Sequence, residues 1–428
     1  MLSSAEADLA RRDAAIPGLA TVLDSDAFVA ALRRAAPEAD LRAAQITYVR
    51  YKPRTYCRVA YRLDVAGKEV DAAVGACRPD DLVPWLKEDH RTGMSGPLRP
   101  GRIVFAQYAV LVTVFPNDLK LQALPYLADP AERGRLLREL LPHRPELWQG
   151  SLRCLRYRPE RRFVAELFAG EESQALVKAY TKKGYTRGRH NAQAFQSRGP
   201  LRVARLLGGL DNLRLLAFEW LPGRLLFDLC MAAQIDCKHV TATGAALAAL
   251  HAQEPGGLWH WTREAEAADL VSLCSELGFI CPRLARRADE LARRLAAQLA
   301  AAPAVQRARH GDFSAKQVLV GQPEVAIIDL DWACAGDPAG DLGNFIAQAE
   351  RFALRGELSA SRVDLLSDAL LEGYGLATNR PLPERIRLYT AVELFRRTRF
   401  PFRSREPDWP QRTEALLDRA ETILNTLP

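Results

Sequence analysis

Two short segments of this 428-residue sequence concentrate oxygen ligands around a candidate base. The first is His310-Gly-Asp312-Phe-Ser-Ala-Lys-Gln317, and the second is Ile327-Ile-Asp329-Leu-Asp331-Trp332. One Asp on a tight loop can take a proton from a hydroxyl. An amide oxygen five residues later can reach a divalent cation from the loop's far end, and a carboxylate at the tip of the next strand completes an oxygen site. Asp312, Gln317 and Asp329 have that order, which suits phosphoryl transfer from ATP to a hydroxyl. The competing reading makes these acids caps of turns and helices. Asp337 before Pro338 does look like such a cap, with Asp at the N-cap and Pro at N1. Ordered acids spread over about thirty residues favour the chemical reading for Asp312 and Asp329, while Asp331 stays open between the two.

Such loops need strands to hold them. Short apolar runs predict strands over 317–321 and 325–330, on either side of the second segment's start. Three- and four-residue apolar spacing predicts helices over 240–253 and 283–302, and the chain reads as helical from about 224 onward. Upstream the pattern is β-rich and repeats itself. Residues 48–63 and 154–167 each read as strand, basic turn with Pro53 or Pro159, and strand with period-two alternation. At a constant offset Cys57, Val59, Tyr61 and Leu63 match Phe163, Ala165, Leu167 and Ala169. A third strand follows each hairpin, at 70–77 and 175–180, then a helix and two further strands ending near 117 and 223. The pattern predicts an internal duplication of a five-stranded unit, with copies near 20–141 and 146–223. A β-rich part followed by a helical part predicts an α+β, two-lobed architecture. The expected division is 1–145 for a degenerate first lobe, 146–223 for a second β lobe and 224–428 for a helical lobe.

Composition excludes several classes. Apolar residues make up 48% and charged residues 26%, which is ordinary for a globular chain and argues against disorder. The net charge of +7 could suit a nucleic acid, but nine of the 59 basic residues are Lys and the rest are Arg scattered along the chain. That spread lacks the clustered footprint of a nucleic-acid binder. No apolar run approaches the roughly 20 residues of a membrane span, and the N-terminus has no apolar signal region. The eight Cys include no C-x-x-C pair. Sitting among apolar neighbours, as Cys154 does, they read as buried free thiols of a reduced, cytoplasmic protein.

The combined pattern resembles the protein-kinase-like superfamily, in its aminoglycoside phosphotransferase and choline kinase branch, which carries H-x-D-x-x-x-x-N followed by a strand ending in I-D. The resemblance implies Asp312 as catalytic base, Asp329 as Mg²⁺ ligand, and His310 and Asp341 as supports of the loop, with Asp331 a second metal ligand or turned toward substrate. Gln317 replaces the usual Asn as metal ligand, as in maltokinase-like and glucosamine-kinase-like members, which tilts the acceptor toward a sugar or amino sugar. The second β unit becomes the nucleotide lobe. Lys178 on its third strand, with Arg158 and Arg162 of the hairpin, would contact the phosphates of ATP. The backbone around Glu219 and Leu221 would meet the adenine edge. Two departures stand out: the hairpin turn lacks glycines, and the helix after Lys178 lacks the usual Glu, leaving Gln193 as a neutral partner or the phosphates alone. In the first copy the place of Lys178 falls on Ala72, or on Gly75 with a short indel, so that copy reads as a stripped lobe that packs on the active one and shapes the acceptor cleft.

The acceptor itself is barely legible. Residues 395–405 are basic and aromatic and read as a packed helix end with solvated Arg heads ahead of an anion site. The absence of acidic clustering there favours a neutral sugar or single-amine acceptor over a polycation. The alternatives are an aminoglycoside or amino-alcohol kinase, and a pseudokinase that binds nucleotide or a partner without transfer. The oligomeric state has no signature.

Overall fold

A computed structural model describes residues 1–87, 98, 101–321 and 324–427. Two five-stranded antiparallel sheets occupy the first half. One comprises Leu41–Lys52, Tyr56–Val65, Lys68–Cys77, Arg102–Phe105 and Val110–Val114. The other comprises Ser151–Arg158, Arg162–Ala169, Glu172–Tyr180, Leu206–Leu210 and Leu215–Glu219. Numbered within each sheet, the strands lie in the same spatial order, 1-2-3-5-4. In both, a helix follows the third strand, at Pro79–Lys87 and at Lys182–Asn191. Period-two alternation sets the faces. Phe163, Ala165, Leu167, Val177 and Ala179 are buried against leucines of 121–147, which therefore pack with the second sheet. The corresponding side chains of the first sheet, Cys57, Val59, Tyr61 and Leu63, pack beneath the helices Ser4–Arg12, Leu19–Leu23 and Ser25–Ala35 in a core continuous with the helical lobe.

The likeness extends to how each hairpin tip is held. Pro53-Arg54 and Pro159-Glu160 form turns closed by Thr55 N–H to Lys52 carbonyl at 3.1 Å and by Arg161 N–H to Arg158 carbonyl at 3.0 Å. The residue after each Pro has φ of 56°, a left-handed conformation that costs a non-Gly residue about 1 kcal/mol or more and needs an anchor. Asp13 supplies one, accepting from Arg54 N–H at 2.9 Å and from the Tyr51 hydroxyl at 2.5 Å. Asp118 supplies the other, accepting from Glu160 N–H at 2.7 Å and from the Tyr157 hydroxyl at 2.8 Å.

Register resolves which residue of the first sheet holds the place of Lys178. Lys178 lies opposite Val164. The residue matching Val164 is Arg58, and it lies opposite Gly75, not Ala72. A side chain at Gly75 would collide with Arg58 and Trp85, at 2.6 and 2.7 Å from its Cβ. Arg58 stacks 3.5 Å over the Trp85 ring and reaches Glu160 at 2.6 Å. The guanidinium is not aligned as a hydrogen-bond donor, so this contact is mainly coulombic. Lys120 lies 3.7 Å from the other Glu160 oxygen. The first sheet thus grips the second sheet's hairpin tip.

The helical lobe is built mainly from Lys238–His251, Arg263–Ile280, Ala285–Ala301, Ala339–Leu354, Ala360–Thr378, Ile386–Arg397 and Trp409–Asn425. Its two chemistry-bearing segments sit between paired strands. Arg307–Arg309 pairs with Cys334–Gly336, and Val318–Val320 pairs with Val325–Ile327. The expected strand over 317–321 starts one residue later, because Gln317 belongs to a 3-10 turn at Ala315–Gln317. The expected strand over 325–330 ends at Ile327, since Asp329 turns left-handed and Leu330–Trp332 coils into a second 3-10 turn. Asp337 does cap the next helix, accepting from Ala339 N–H at 3.0 Å, but Pro338 rather than Asp337 stands at the N-cap position. Cys154 is exposed rather than buried because it lies on the sheet's edge strand, while all eight thiols are free. Among the described residues no helix is long and apolar enough to cross a membrane.

Replacing Arg58 by Ala leaves Glu160, only 5% exposed, with Lys120 alone. Loss of one member of such a pair costs roughly 3 kcal/mol. Urea unfolding followed by Trp fluorescence should show the first transition at lower denaturant, and an unchanged midpoint would deny the grip any energetic role.

Candidate active site

The loop carrying Asp312 is fixed from below. Asp341, fully buried in the first turn of Ala339–Leu354, accepts from His310 N–H at 2.6 Å and Gly311 N–H at 2.9 Å. His251 Nε2 lies 3.0 Å from the same carboxylate, and its Nδ1 meets the Tyr374 hydroxyl at 3.1 Å. Burial raises the Asp341 pKa, but His251, Arg309 and His310 outweigh it and hold the carboxyl well below the usual range. Gly311 has φ of 80°, and a Cβ there would lie 2.2 Å from the Trp332 carbonyl, so only glycine fits. His310 spans the two segments: its Nδ1 accepts from Asp312 N–H at 3.2 Å, and its Nε2–H therefore donates to the Ile328 carbonyl at 2.9 Å. Asn344 closes the far side by donating to the Phe313 carbonyl at 2.7 Å. The bonds to His310, Gly311, Asp312 and Phe313 all fix the loop's backbone. The Asp312 carboxylate has neither hydrogen bond nor ion pair among the described residues and reaches solvent through the cleft. Surrounding protein raises its pKa, Asp329 adds to the rise, and His310 opposes it.

Opposite this loop stands a cluster of four charges. Arg162 Nη1 lies 2.6 Å from Asp329 Oδ1 and 2.7 Å from Asp331 Oδ2. Lys178 Nζ lies 2.9 Å from Asp329 Oδ1 and 3.3 Å from Asp331 Oδ1. The Tyr180 hydroxyl donates to Asp331 at 3.0 Å. Burial pushes the Asp329 carboxyl up, but Lys178 and Arg162 outweigh it and hold it well below the ordinary range. Lys178 is raised by the same exchange: burial lowers it, while Asp329 and Asp331 more than restore it. Lys178 therefore finds its partners across the cleft, and Gln193 is not among them. The helix that lacks a Glu contributes Asn191 instead, whose amide donates to the Leu330 and Ala333 carbonyls at 3.0 Å each and holds the Asp329–Trp332 turn.

The other sequence candidates fall less centrally. Arg158 lies opposite Arg162 in the hairpin, its guanidinium 5.6 Å over the Tyr48 ring. The Gln317 amide oxygen accepts from the Ser314 hydroxyl and is turned toward its own loop. Glu219 is committed to the sheet: its N–H donates to the Arg205 carbonyl at 2.9 Å, and its carboxylate holds Arg202 and Arg205 at 2.6 and 3.1 Å. Leu221, two residues on, is buried. Within 395–405 most Arg heads are bound rather than solvated. Arg396 and Arg397 pair with Glu393, Arg403 with Glu276 and Arg405 with Glu6. Tyr180, Asn191 and His251 went unread because a Tyr on a strand, an Asn at a helix end and a His on an apolar helix face carry no spacing that signals a site.

Among the described residues no three His, Cys, Asp or Glu side chains form a metal-binding group. Asp329 and Asp331 are a pair, yet an Arg162 nitrogen and the Lys178 nitrogen each already bridge an oxygen of both. A hard cation would find the oxygen chemistry it needs at that point, so the residues fit Mg²⁺ on condition that Arg162 and Lys178 move aside.

A family model described as the phosphotransferase enzyme family matches residues 156–389. No curated protein matches. Among solved structures, a thermostable mutant of an aminoglycoside phosphotransferase, in ternary complex with ADP and hygromycin B, is 16% identical, with 68% of this chain and 97% of that one covered at a TM-score of 0.50. A choline/ethanolamine kinase family protein from Mesorhizobium loti is 16% identical, covering 70% and 96% at a TM-score of 0.47. A choline kinase from Cryptosporidium parvum is 11% identical, covering 69% and 96% at 0.48. The fold is the one shared with the aminoglycoside phosphotransferase, an α+β bilobal protein-kinase-like arrangement.

Removing the Arg162 guanidinium by Arg162→Ala should tighten Mn²⁺ binding to the nucleotide-free protein roughly tenfold, the equivalent of one charge-assisted hydrogen bond. Calorimetric titration with Mn²⁺ reads this directly. Equal or weaker binding would mean that Arg162 does not compete for the carboxylates.

Proposed function

This chain belongs to the phosphotransferase enzyme family, and we propose that it transfers the γ-phosphoryl group of ATP to a hydroxyl of a sugar or amino sugar. The observation that carries the reading is the pairing of an unbonded, solvent-reaching carboxylate, Asp312, on a rigid loop with the Asp329–Asp331–Lys178–Arg162 cluster across the cleft. In this reading Asp312 accepts the acceptor's hydroxyl proton, and Lys178 and Arg162 turn from the carboxylates to the phosphate oxygens. Asp329 and Asp331 would hold Mg²⁺, with Gln317 joining them once it leaves Ser314; the ion supplies charge neutralisation on the phosphates. Glu219 and Leu221 border the adenine edge, and Arg158 stands beside the phosphates. Complexes of a structural relative with ADP support the nucleotide, and the same relative's hygromycin B supports a small-molecule acceptor. The shared strand order, turn and Asp anchor support an internal duplication in which only the second sheet feeds the catalytic cleft. Free thiols and the lack of a membrane-crossing helix are compatible with a cytoplasmic enzyme.

The test is Mg²⁺-dependent ATP consumption against a panel of hydroxyl acceptors. Asp312→Asn should lower kcat by about a hundredfold or more, in line with loss of a general base, while nucleotide affinity stays within twofold or so. Retained turnover would remove Asp312 from the mechanism. The pH profile carries its own sign. A base works deprotonated, and the Asp312 pKa is raised, so the acid limb of kcat should lie above about 4, the ordinary Asp value. A flat profile through that region would contradict the assignment.

A further inference from the structure

The Asp312 carboxylate has no bond of its own among the described residues, so the backbone on either side sets where it points. On the N-terminal side, Asp341 holds the His310 and Gly311 amides. On the C-terminal side the hold is at the Phe313 carbonyl, which accepts from Asn344 Nδ2 at 2.7 Å. Asp341 and Asn344 stand one turn apart on Ala339–Leu354, so one helix face carries both holds. The Phe313 ring is fully buried and stacks on Phe345, which fixes its side chain. The direction of its carbonyl is left to Asn344.

Asn344 does not settle that direction by itself. A side-chain amide has a donor end and an acceptor end of nearly the same shape. Reversed, it would set its own oxygen against the Phe313 carbonyl. Arg397 excludes the reversal: its Nη2 donates to Asn344 Oδ1 at 2.7 Å, and a guanidinium has no acceptor to offer a reversed amide. The same nitrogen reaches the Asn344 carbonyl at 3.4 Å. The guanidinium is itself fixed, since Nη1 donates to the Glu393 carbonyl and to the Glu393 carboxylate at 3.1 Å each. The other Glu393 oxygen accepts from Arg396 at 2.6 Å, and Arg396 donates in turn to Asp269 at 3.3 Å. Two guanidinium groups thus face two carboxylates, the pairing a buried Arg requires. Asn344, Arg397 and Glu393 are 5, 6 and 8% exposed, so solvent does not replace a bond lost from this chain.

We infer that Arg397 is a positioning residue for the transfer: by fixing the Asn344 amide it sets the backbone after Asp312 and so aims the base into the cleft. It acts through Asn344 and not on substrate. The consequence for turnover rests on the phosphotransfer reading above, whereas the hold on the loop does not. The cluster of Arg162, Lys178, Asp329 and Asp331 shares no bond with this chain among the described residues. Loss of Arg397 therefore disturbs the base and leaves the nucleotide side in place.

Hydrogen–deuterium exchange of the full chain, read on peptides covering 308–318, tests the hold. Arg397→Met should speed exchange there by about tenfold, the equivalent of one charge-assisted hydrogen bond, while the strand Tyr56–Val65 of the first sheet exchanges as before. Asn344→Asp keeps an acceptor for Arg397 but sets an oxygen against the Phe313 carbonyl, and should have the same effect. Mg²⁺-dependent ATP consumption with the best acceptor of the panel tests the consequence. In each variant kcat should fall about tenfold or more, with KM for ATP within about twofold. The double variant should lose no more than the worse single one, because both substitutions act on one bond. Arg397→Lys, which keeps the charge beside Glu393 but not the fork, should recover part of kcat, and it takes the place of Arg397→Met if that variant fails to fold. Unchanged exchange at 308–318, or losses in kcat that multiply in the double variant, overturns the inference. So does a parallel fall in kcat and nucleotide affinity with faster exchange throughout the helical lobe, the mark of a merely structural role. Faster exchange confined to the loop, with no acceptor supporting ATP consumption by the unaltered chain, upholds the hold on the loop and removes the phosphotransfer reading instead.

Discussion

The contact on which the cleft depends is the salt-bridge cluster between Arg162 and Lys178 on the second sheet and Asp329 and Asp331 on the helical lobe. Each contact at about 3 Å is worth roughly 5 kcal/mol of coulombic attraction at an effective dielectric near 20, against several kcal/mol per ion to leave water. The balance is close to even, so the cluster positions the lobes more than it stabilises them. That near-balance suits a site that must open. In the proposed mechanism Lys178 and Arg162 exchange carboxylates for phosphates, groups of the same sign of charge. The left-handed φ of 65° at Asp329 belongs to the same device, because it swings the carboxylate out of line with the strand and toward the sheet.

A second constraint works from the other side. The hairpin tip bearing Pro159 and Glu160 has no glycine to ease its turn, and it is held by Asp118 and Arg58 instead. In a glycine-rich loop, mobility lets the backbone settle over phosphates. Here the tip is anchored to the first sheet, so in the proposed mechanism side chains such as Arg158 and Arg162 meet the phosphates in place of a loop backbone. Gly75 makes room for that grip. With no side chain in the place of Lys178, Arg58 and Trp85 fill the space and Arg58 extends to Glu160. The missing side chain at Gly75 and the clamp are one arrangement.

Much of this was legible in residue order. Period-two alternation marked both hairpins, and the matching Pro turns marked their likeness, because strand faces and turn dihedrals are local properties. Asp312, Asp329 and Asp331 stood out because their spacing is fixed by two loops at the ends of short strands. Lys178 was placed on its strand, but its partners were sought on the following helix. Asp329 and Asp331 lie about 150 residues away in sequence, and no local pattern connects groups so far apart. The expected solvated Arg heads of 395–405 failed for the same reason: Glu276 and Glu6 come from distant segments. Cys154 misled because apolar neighbours signal burial only where a strand is covered on both sides, and the strand Ser151–Arg158 is an edge.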